Sequence, residues 1–446
     1  VPRIDALSHH DVTADTSLFL VVVAASDSYG LVKMAPNIQP FEHLPVPVED
    51  ERIRCALLGC GMMGQEHISY IMGYSRDIRI DYLCDPFRPS LEKAQKIMKE
   101  FQADPLATVN EPTLLTDEEE LLQLADHIDL LVIASPNYMH TPTLIRWGRH
   151  DLTILCEKPV AVSQEQHDEL LAASESPDWK ARLWVAMEYR YIPAIAKLLS
   201  LLPEIGELKM VTIRENRYPF LHKIGEWNRD RSKTGDTLVE KCCHFFDLFR
   251  LITGKEAVLS KVRAIAQRGI NYLDEPDQFE IPIIDSAYVT LPFREGQPQG
   301  DAKWSNAIGC LELCMFAEGS RHQEEIIVTG TKGRLEAYLP ENKVYLFQRP
   351  SKELWSDRSI PPPKHSINEV VFDCSDVKSV HGIDNEIPTH GGYHYCSTAI
   401  EWYHLLNQIR RHRNGGSFEP HVSLKDGLRA VEIGIHATSA LVNDTD

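Results

Sequence analysis

Residues 237–247 read TLVEKCCHFFD, gathering Glu240, Lys241, Cys242, Cys243, His244 and Asp247 into eleven positions. Three chemistries use such groups: metal binding, thiol redox exchange and proton transfer. If the stretch is one helix, residues three or four apart share a face, so Glu240, His244 and Asp247 are expected along one side. Cys242 and Cys243 then point about 100° apart, which spoils a tetrahedral ligand set with their neighbours. A disulfide between adjacent cysteines is strained. Proton transfer by His244 is the reading these residues favour, with no metal; a packed core histidine is the bland alternative. An imidazole, with an ordinary pKa near 6.5, can accept a hydroxyl proton at neutral pH.

A second set follows from CEKP at 156–159. Lys158 emerges at the end of an apolar run, and Pro159 fixes the backbone after it. An ammonium placed there can stabilise charge developing on a reacting oxygen. Lys241, three residues before His244, competes for that role.

A third is GCGMMG, with Gly59, Gly61 and Gly64 in GxGxxG spacing around Met62 and Met63. Alone that spacing is weak. Here a strand-like run precedes it, a helix-like run follows, and Asp85 ends the next strand about 20 residues on, which is the dinucleotide-binding context. Glycines let the backbone approach a pyrophosphate, and the helix N-terminus favours its charge. Asp85 can accept from ribose hydroxyls and repels a 2′-phosphate, which points to NAD. Arg88 could counter that repulsion and leaves NADP open, though a solvated surface charge is the stronger reading of it. ASPNYMH adds Ser135, Asn137 and His140 at another strand end, and Glu157 joins them beside Lys158.

These groups need a scaffold. Strand-like IRCALL, IRIDYLC, HIDLLVIASPN, LTILCEKP and ARLWVAMEYRY alternate with helix-like segments, the pattern of a doubly wound parallel sheet. After about residue 205 strand-like runs follow one another with short connections, as in a mostly antiparallel sheet. The TLVEKCCHFFD helix interrupts them and two helices close the chain. The expected organisation is an N-terminal extension (1–51), a Rossmann domain (52–180) and an α+β substrate and oligomerisation domain (181–446).

The totals fit this reading. The 446 residues carry a formal net charge of −19, which disfavours nucleic acid or an anionic membrane as partner. Ten cysteines without a CxxC pair read as reduced thiols in a cytoplasmic protein. The longest apolar run, LFLVVVAA, is too short to span a bilayer.

Taken in order, GCGMMG, ASPNYMH, CEKP, MEYRY, TLVEKCCHFFDLFRLITG and the closing HGGYHYCSTAIEWYHLL and VSLKDGLRAVEIGIHATSAL resemble the glucose-fructose oxidoreductase/inositol dehydrogenase/rhizopine catabolism (Gfo/Idh/MocA) family, over about residues 52–443. The resemblance implies a nucleotide domain followed by an open sheet that covers the active site on one face and makes a homodimer or homotetramer contact. It implies that Lys158 and His244 flank the nicotinamide and that Glu240, where the family more often has Asp, contacts substrate. The family's paired glycine before the helix stands here as Gly235–Asp236. The expected activity is NAD(P)-dependent hydride transfer to or from a CH–OH group of a sugar, inositol or related polyol. A glycosidase using transient oxidation and a non-catalytic nucleotide sensor are the alternatives. Tyr189, Arg190 and Tyr191, with Trp227, Asn228 and Arg229, are candidate pocket residues, alongside Lys241 and Asp247. His390 and His394 are weaker ones.

Overall fold

The computed structural model describes residues 51–101, 110–270, 281–294, 307–383 and 396–441, without the side chain at 365. Residues 1–50 of the expected extension, and His390 and His394, lie outside the described residues.

Six strands form the first sheet: β1 (Ile53–Leu58), β2 (Ile78–Cys84), β3 (Thr113–Leu115), β4 (Leu130–Ile133), β5 (Thr153–Glu157) and β6 (Arg182–Ala186). Their order is β3-β2-β1-β4-β5-β6 and every neighbouring pair is parallel. All four β4 residues are buried, as befits a strand covered on both faces. The strand order reverses between β1 and β4, which opens a crevice beyond their carboxyl ends. Gly59, Ala134 and Lys158 leave the sheet along that edge. The sequence missed β3, which is only three residues long. The strand expected through Tyr191 stops at Ala186, and Glu188–Tyr191 form a 3-10 turn instead. Pro193 then opens a helix to Leu201.

The second sheet holds β7 (Leu208–Asn216), β8 (Glu256–Ala257), β9 (Arg263–Arg268), β10 (Ile284–Arg294), β11 (Ala307–Cys314), β12 (Glu324–Gly330), β13 (Gly333–Leu339), β14 (Lys343–Gln348) and β15 (Asn368–Asp373). Its order is β15-β14-β13-β12-β7-β11-β10-β8, with β9 also on β10. Only the β7–β11 pair is parallel among these ladders. Val211, Ile213 and Glu215 are buried, Thr212 and Arg214 between them are not, and Met210 before them is exposed, so β7 shows the period-2 alternation of a sheet with one covered face.

Helix Cys243–Thr253 packs on β7 and β11, and helix Leu424–Ser439 packs on it in turn. The latter also meets β6 of the first sheet, tying the two sheets together. At Gly434 an added Cβ would sit 2.5 Å from the carbonyl oxygen of Leu238, so only glycine permits this approach.

The stretch 237–253 is not one helix: Thr237–Glu240 and Cys243–Thr253 are separate, with a turn at Lys241–Cys242. The N–H groups of Lys241 and Cys242 both donate to Thr237 O, at 3.0 and 3.2 Å, and the ladder restarts at Cys242. Glu240 therefore does not share one helix face with His244 and Asp247.

Candidate active site

The glycines divide the work of the first turn. Gly59 has φ +99°, and a Cβ there would lie 2.5 Å from Ala134 C. A Cβ on Gly64 would lie 2.1 Å from Gly59 O. Both positions serve the protein's own packing. A Cβ on Gly61 meets nothing within 4 Å. The open space there lies before the N-terminus of helix Met62–Gly73, where a pyrophosphate fits. Asp85 braces the turn: its carboxylate accepts from Cys60 N and Phe87 N, each at 2.8 Å. Arg88 is 77% exposed with Glu92 at 3.8 Å, a solvated surface charge.

A cleft of about 770 Å³ runs from this turn along the strand ends. Gly59, Gly61, Met62, Met63, Asp85, Ser135, Asn137, His140, Glu157 and Lys158 all line it, as does Trp227. Gly64 lies behind it, packed against the turn. Ser135 Oγ is buried without a protein hydrogen-bond partner, so a ligand group can use it. His140 does a different job. Its two ring nitrogens lie 2.8 Å from the carbonyl oxygens of Ser135 and Pro159, joining the ends of β4 and β5. The space before Gly61, the braced acid and the unsatisfied serine fit a dinucleotide.

Lys158 leaves β5 into the cleft and its Nζ donates to Glu240 O at 3.4 Å. Burial works against its charge, but Cys243, Glu188, Glu157 and Glu240 around it outweigh burial and hold its pKa above the ordinary lysine value. Burial raises the pKa of Glu240, opposed by Lys223, Lys158 and Arg217. His244 is buried, stacks on Tyr189 at 4.4 Å and 13°, and has Nε2 3.6 Å from Glu188 Oε1. Cys242 and Cys243 are both buried, and burial pushes Cys243 up to about 12, so they remain thiols at neutral pH.

Other expected pocket residues are engaged inside the protein. Arg190 donates to Asp247 Oδ2 at 2.6 Å and to His421 O at 2.6 Å. Lys241 Nζ donates to Tyr189 OH at 2.6 Å, and Tyr189 OH donates to Glu324 Oε1 at 2.7 Å. Arg229 is buried beside Phe220 O and Glu226. Asn228 donates to Leu221 O, and Tyr191 stacks on His404. The structure thus gathers the expected nucleotide set and Lys158 along the cleft, with Glu240 O against Lys158, while Glu240 and His244 are themselves buried and do not line it. It turns Arg190, Lys241 and Asp247 toward protein partners.

Four residues near the site were not singled out by sequence. Lys223 lines the cleft, 3.8 Å from Glu240 Oε1 and 4.4 Å over the Trp227 ring. Burial lowers its pKa. Glu188 sits in MEYRY, but as part of an expected strand it carried no signal. His67 meets Glu157, and Trp402 meets His67 in turn, from distant parts of the chain. His67, three residues past the last motif glycine on the following helix, was the one legible hint.

Residues 53–185 match the oxidoreductase family with an NAD-binding Rossmann fold, and residues 202–445 match that family's C-terminal alpha/beta domain. A 2,7-anhydro-N-acetylneuraminate hydratase of Mediterraneibacter gnavus is 24% identical over 63% of this chain and 69% of its own length. An inositol 2-dehydrogenase of Rhizobium meliloti is 27% identical over 46% of this chain, and the match spans little more than half, 56%, of that protein. A levoglucosan dehydrogenase solved with NADH and levoglucosan superposes with a TM-score of 0.63 at 18% identity, covering 87% of this chain and 97% of that one.

Proposed function

The chain belongs to the Gfo/Idh/MocA family of NAD-binding oxidoreductases, and on that premise we propose that it transfers a hydride between NAD and a carbinol of a sugar, inositol or related polyol. One observation carries the reading. Lys158 stands in the cleft of the glycine turn and hydrogen-bonds the main chain of Glu240, on the segment that leads to His244.

NAD supplies the hydride acceptor on oxidation and the donor on reduction. Gly61 leaves room for the pyrophosphate, and the helix N-terminus behind it attracts the negative charge. Both oxygens of Asp85 brace the turn, and each has a second lone pair to accept from a ribose hydroxyl. In the oxidising direction the substrate C–H bond breaks with its electron pair and the O–H proton passes to His244. Lys158 stays cationic and stabilises the oxygen as its charge grows. Glu240, with Lys223 and Trp227, faces the remaining hydroxyls. An aromatic face beside charged hydrogen-bonding groups suits a polyhydroxylated ring.

A second reading draws support from the hydratase, whose name describes no net redox change. In it a bound nucleotide takes a hydride and returns it within one turnover. Incubation with NAD and a panel of sugars and polyols separates the two. The dehydrogenase accumulates NADH in proportion to product; the second reading yields product with no NADH.

We place the protein in the cytoplasm, since its ten cysteines are unpaired. Among the described residues no helix is long and apolar enough to cross a membrane. The exposed Met210, Ile265, Tyr288 and Ile308 lie on adjacent strands of the second sheet's uncovered face. We assign that face to a homodimer or homotetramer contact.

A further inference from the structure

We propose that His67 and Trp402 are positioning residues for Lys158, acting through Glu157 from two opposite ends of the chain. The inference rests on the catalytic role assigned to Lys158 above.

Three buried side chains form a line. Trp402 Nε1 donates to His67 Nδ1 at 3.1 Å, and His67 Nε2 lies 2.9 Å from Glu157 Oε1. Their exposures are 0%, 1% and 5%. The other oxygen, Glu157 Oε2, accepts from the backbone N–H of Lys158 at 3.2 Å. An indole N–H only donates, so Nδ1 of His67 must be the bare, accepting nitrogen. The one ring proton then sits on Nε2 and is donated to the carboxylate. The imidazole is neutral by construction and leaves the negative charge of Glu157 intact toward Lys158. Burial opposes that charge, while the His67 hydrogen bond and the nearby Lys158 cation favour it.

The line also joins separate parts of the fold. His67 lies on the helix that opens at the glycine turn, Glu157 ends β5, and Trp402 belongs to helix Ser397–Arg413. Two further bonds fasten the same helices. Thr398 Oγ1 donates to Glu66 Oε1 and Tyr74 OH donates to Ala399 O, each at 2.9 Å. The nucleotide turn, the exit of the lysine strand and the C-terminal helix therefore share one hydrogen-bonded joint.

The test reads the charge state of Lys158 directly, without a substrate. The full chain is acylated with an amine-reactive reagent across a pH series, and Lys158 modification is followed by mass spectrometry. Thermal melts and NADH fluorescence titrations check each variant. His67→Leu leaves Glu157 without its buried donor and pushes it toward the neutral acid. Lys158 then loses a counter-charge, and its labelling at fixed pH below the midpoint should rise about tenfold, the effect of about one pKa unit. His67→Gln, which keeps a donor and an acceptor, should stay within about twofold of wild type. In a Glu157→Gln background, His67→Leu should add less than about twofold, because its effect passes through the carboxylate. If His67→Leu does not fold, His67→Asn replaces it with the same expectation, its amide being too short to reach both partners. Unchanged labelling in a folded, NADH-binding variant would overturn the proposal, as would an undiminished tenfold effect in the Glu157→Gln background. Failure of the dehydrogenase reading shows separately, as absent turnover with labelling that still follows the pattern.

Discussion

Glu215 and Glu324 sit directly opposite each other on β7 and β12, both buried, with Lys241 Nζ 3.3 Å from the first and 3.9 Å from the second. Two carboxylates in a cross-strand pair repel, and burial makes the repulsion worse. Burial pushes Glu215 up to about 8, against the pull of Lys241. Glu215 therefore keeps its proton at neutral pH, with Lys241 and, at 3.7 Å, Arg217 as the cations beside it. This engages Lys241 in the sheet, whereas Lys158 lines the cleft.

That arrangement sets a pH dependence. The folded pKa of Glu215, about 8, lies above its ordinary 4.5. The folded state thus binds the extra proton between those values. The stabilisation is complete below the lower value and is lost as pH rises through the upper one. Urea unfolding between pH 6.5 and 8 should show Glu215→Gln losing less stability than wild type, by up to about 1.4 kcal/mol per pH unit. Parallel curves would mean that Glu215 does not hold the proton.

Lys241→Met should cost about 3 kcal/mol at pH 8, where it strands buried negative charge, and less at pH 6. The same denaturation series checks it. An equal cost at both values would place the lysine's contribution in packing alone.

Gly61→Val should melt like wild type and bind NADH at least about 100-fold more weakly, since its side chain enters open space that the pyrophosphate needs. Gly64→Val should unfold or melt far lower, because its Cβ meets the Gly59 carbonyl. Circular dichroism melts with NADH titrations separate the two glycines. Full NADH affinity in Gly61→Val would remove the nucleotide from this turn.

Asp85→Ala should weaken NADH and fail to raise NADPH to the wild-type NADH affinity. The sequence alone suggests a simple relaxation toward NADP. The structure shows that the same carboxylate braces Cys60 N, so its loss loosens the turn for either nucleotide. Paired fluorescence titrations read this out, and a clean inversion of preference would contradict it.

Asp236 holds φ 72° and ψ 172°, a conformation nearly reserved for glycine. Its carboxylate offsets the strain by accepting from Thr237 N at 2.8 Å and Ile284 N at 2.7 Å and pairing with Arg268 at 2.7 Å. Asp236→Gly should relieve the strain yet lose those partners, for a net cost of about 1 kcal/mol. Asp236→Ala keeps the strain without the partners and should cost about 3 kcal/mol. Stability in the order Asp, Gly, Ala in urea titrations checks this.

What could be read from sequence was local. A strand, a glycine turn, a helix and an acid at the next strand end lie within about thirty residues, and each dictates the next. Lys158 was legible for the same reason, at a strand end before a proline. The helix break at Lys241–Cys242 was not, because TLVEKCCHFFD contains neither Gly nor Pro. The turn sits where Lys241 reaches Glu215 and Glu324 and where Gly434 of another helix closes on Leu238. Arg190 and Asp247 looked like pocket residues because nothing near them in sequence shows that they pair with each other. His67, Glu157 and Trp402 meet only through the tertiary fold.

Single-turnover formation of NADH, with whichever sugar or polyol the panel identifies, reads the hydride step and the roles of Lys158 and His244 in it. Lys158→Ala and His244→Ala should each slow it about 10²–10⁴-fold. NADH affinity should hold within a few-fold, and the double variant should lose less than the product of the single losses. A wild-type rate in either folded single variant would mean that the residue replaced takes no part in hydride transfer.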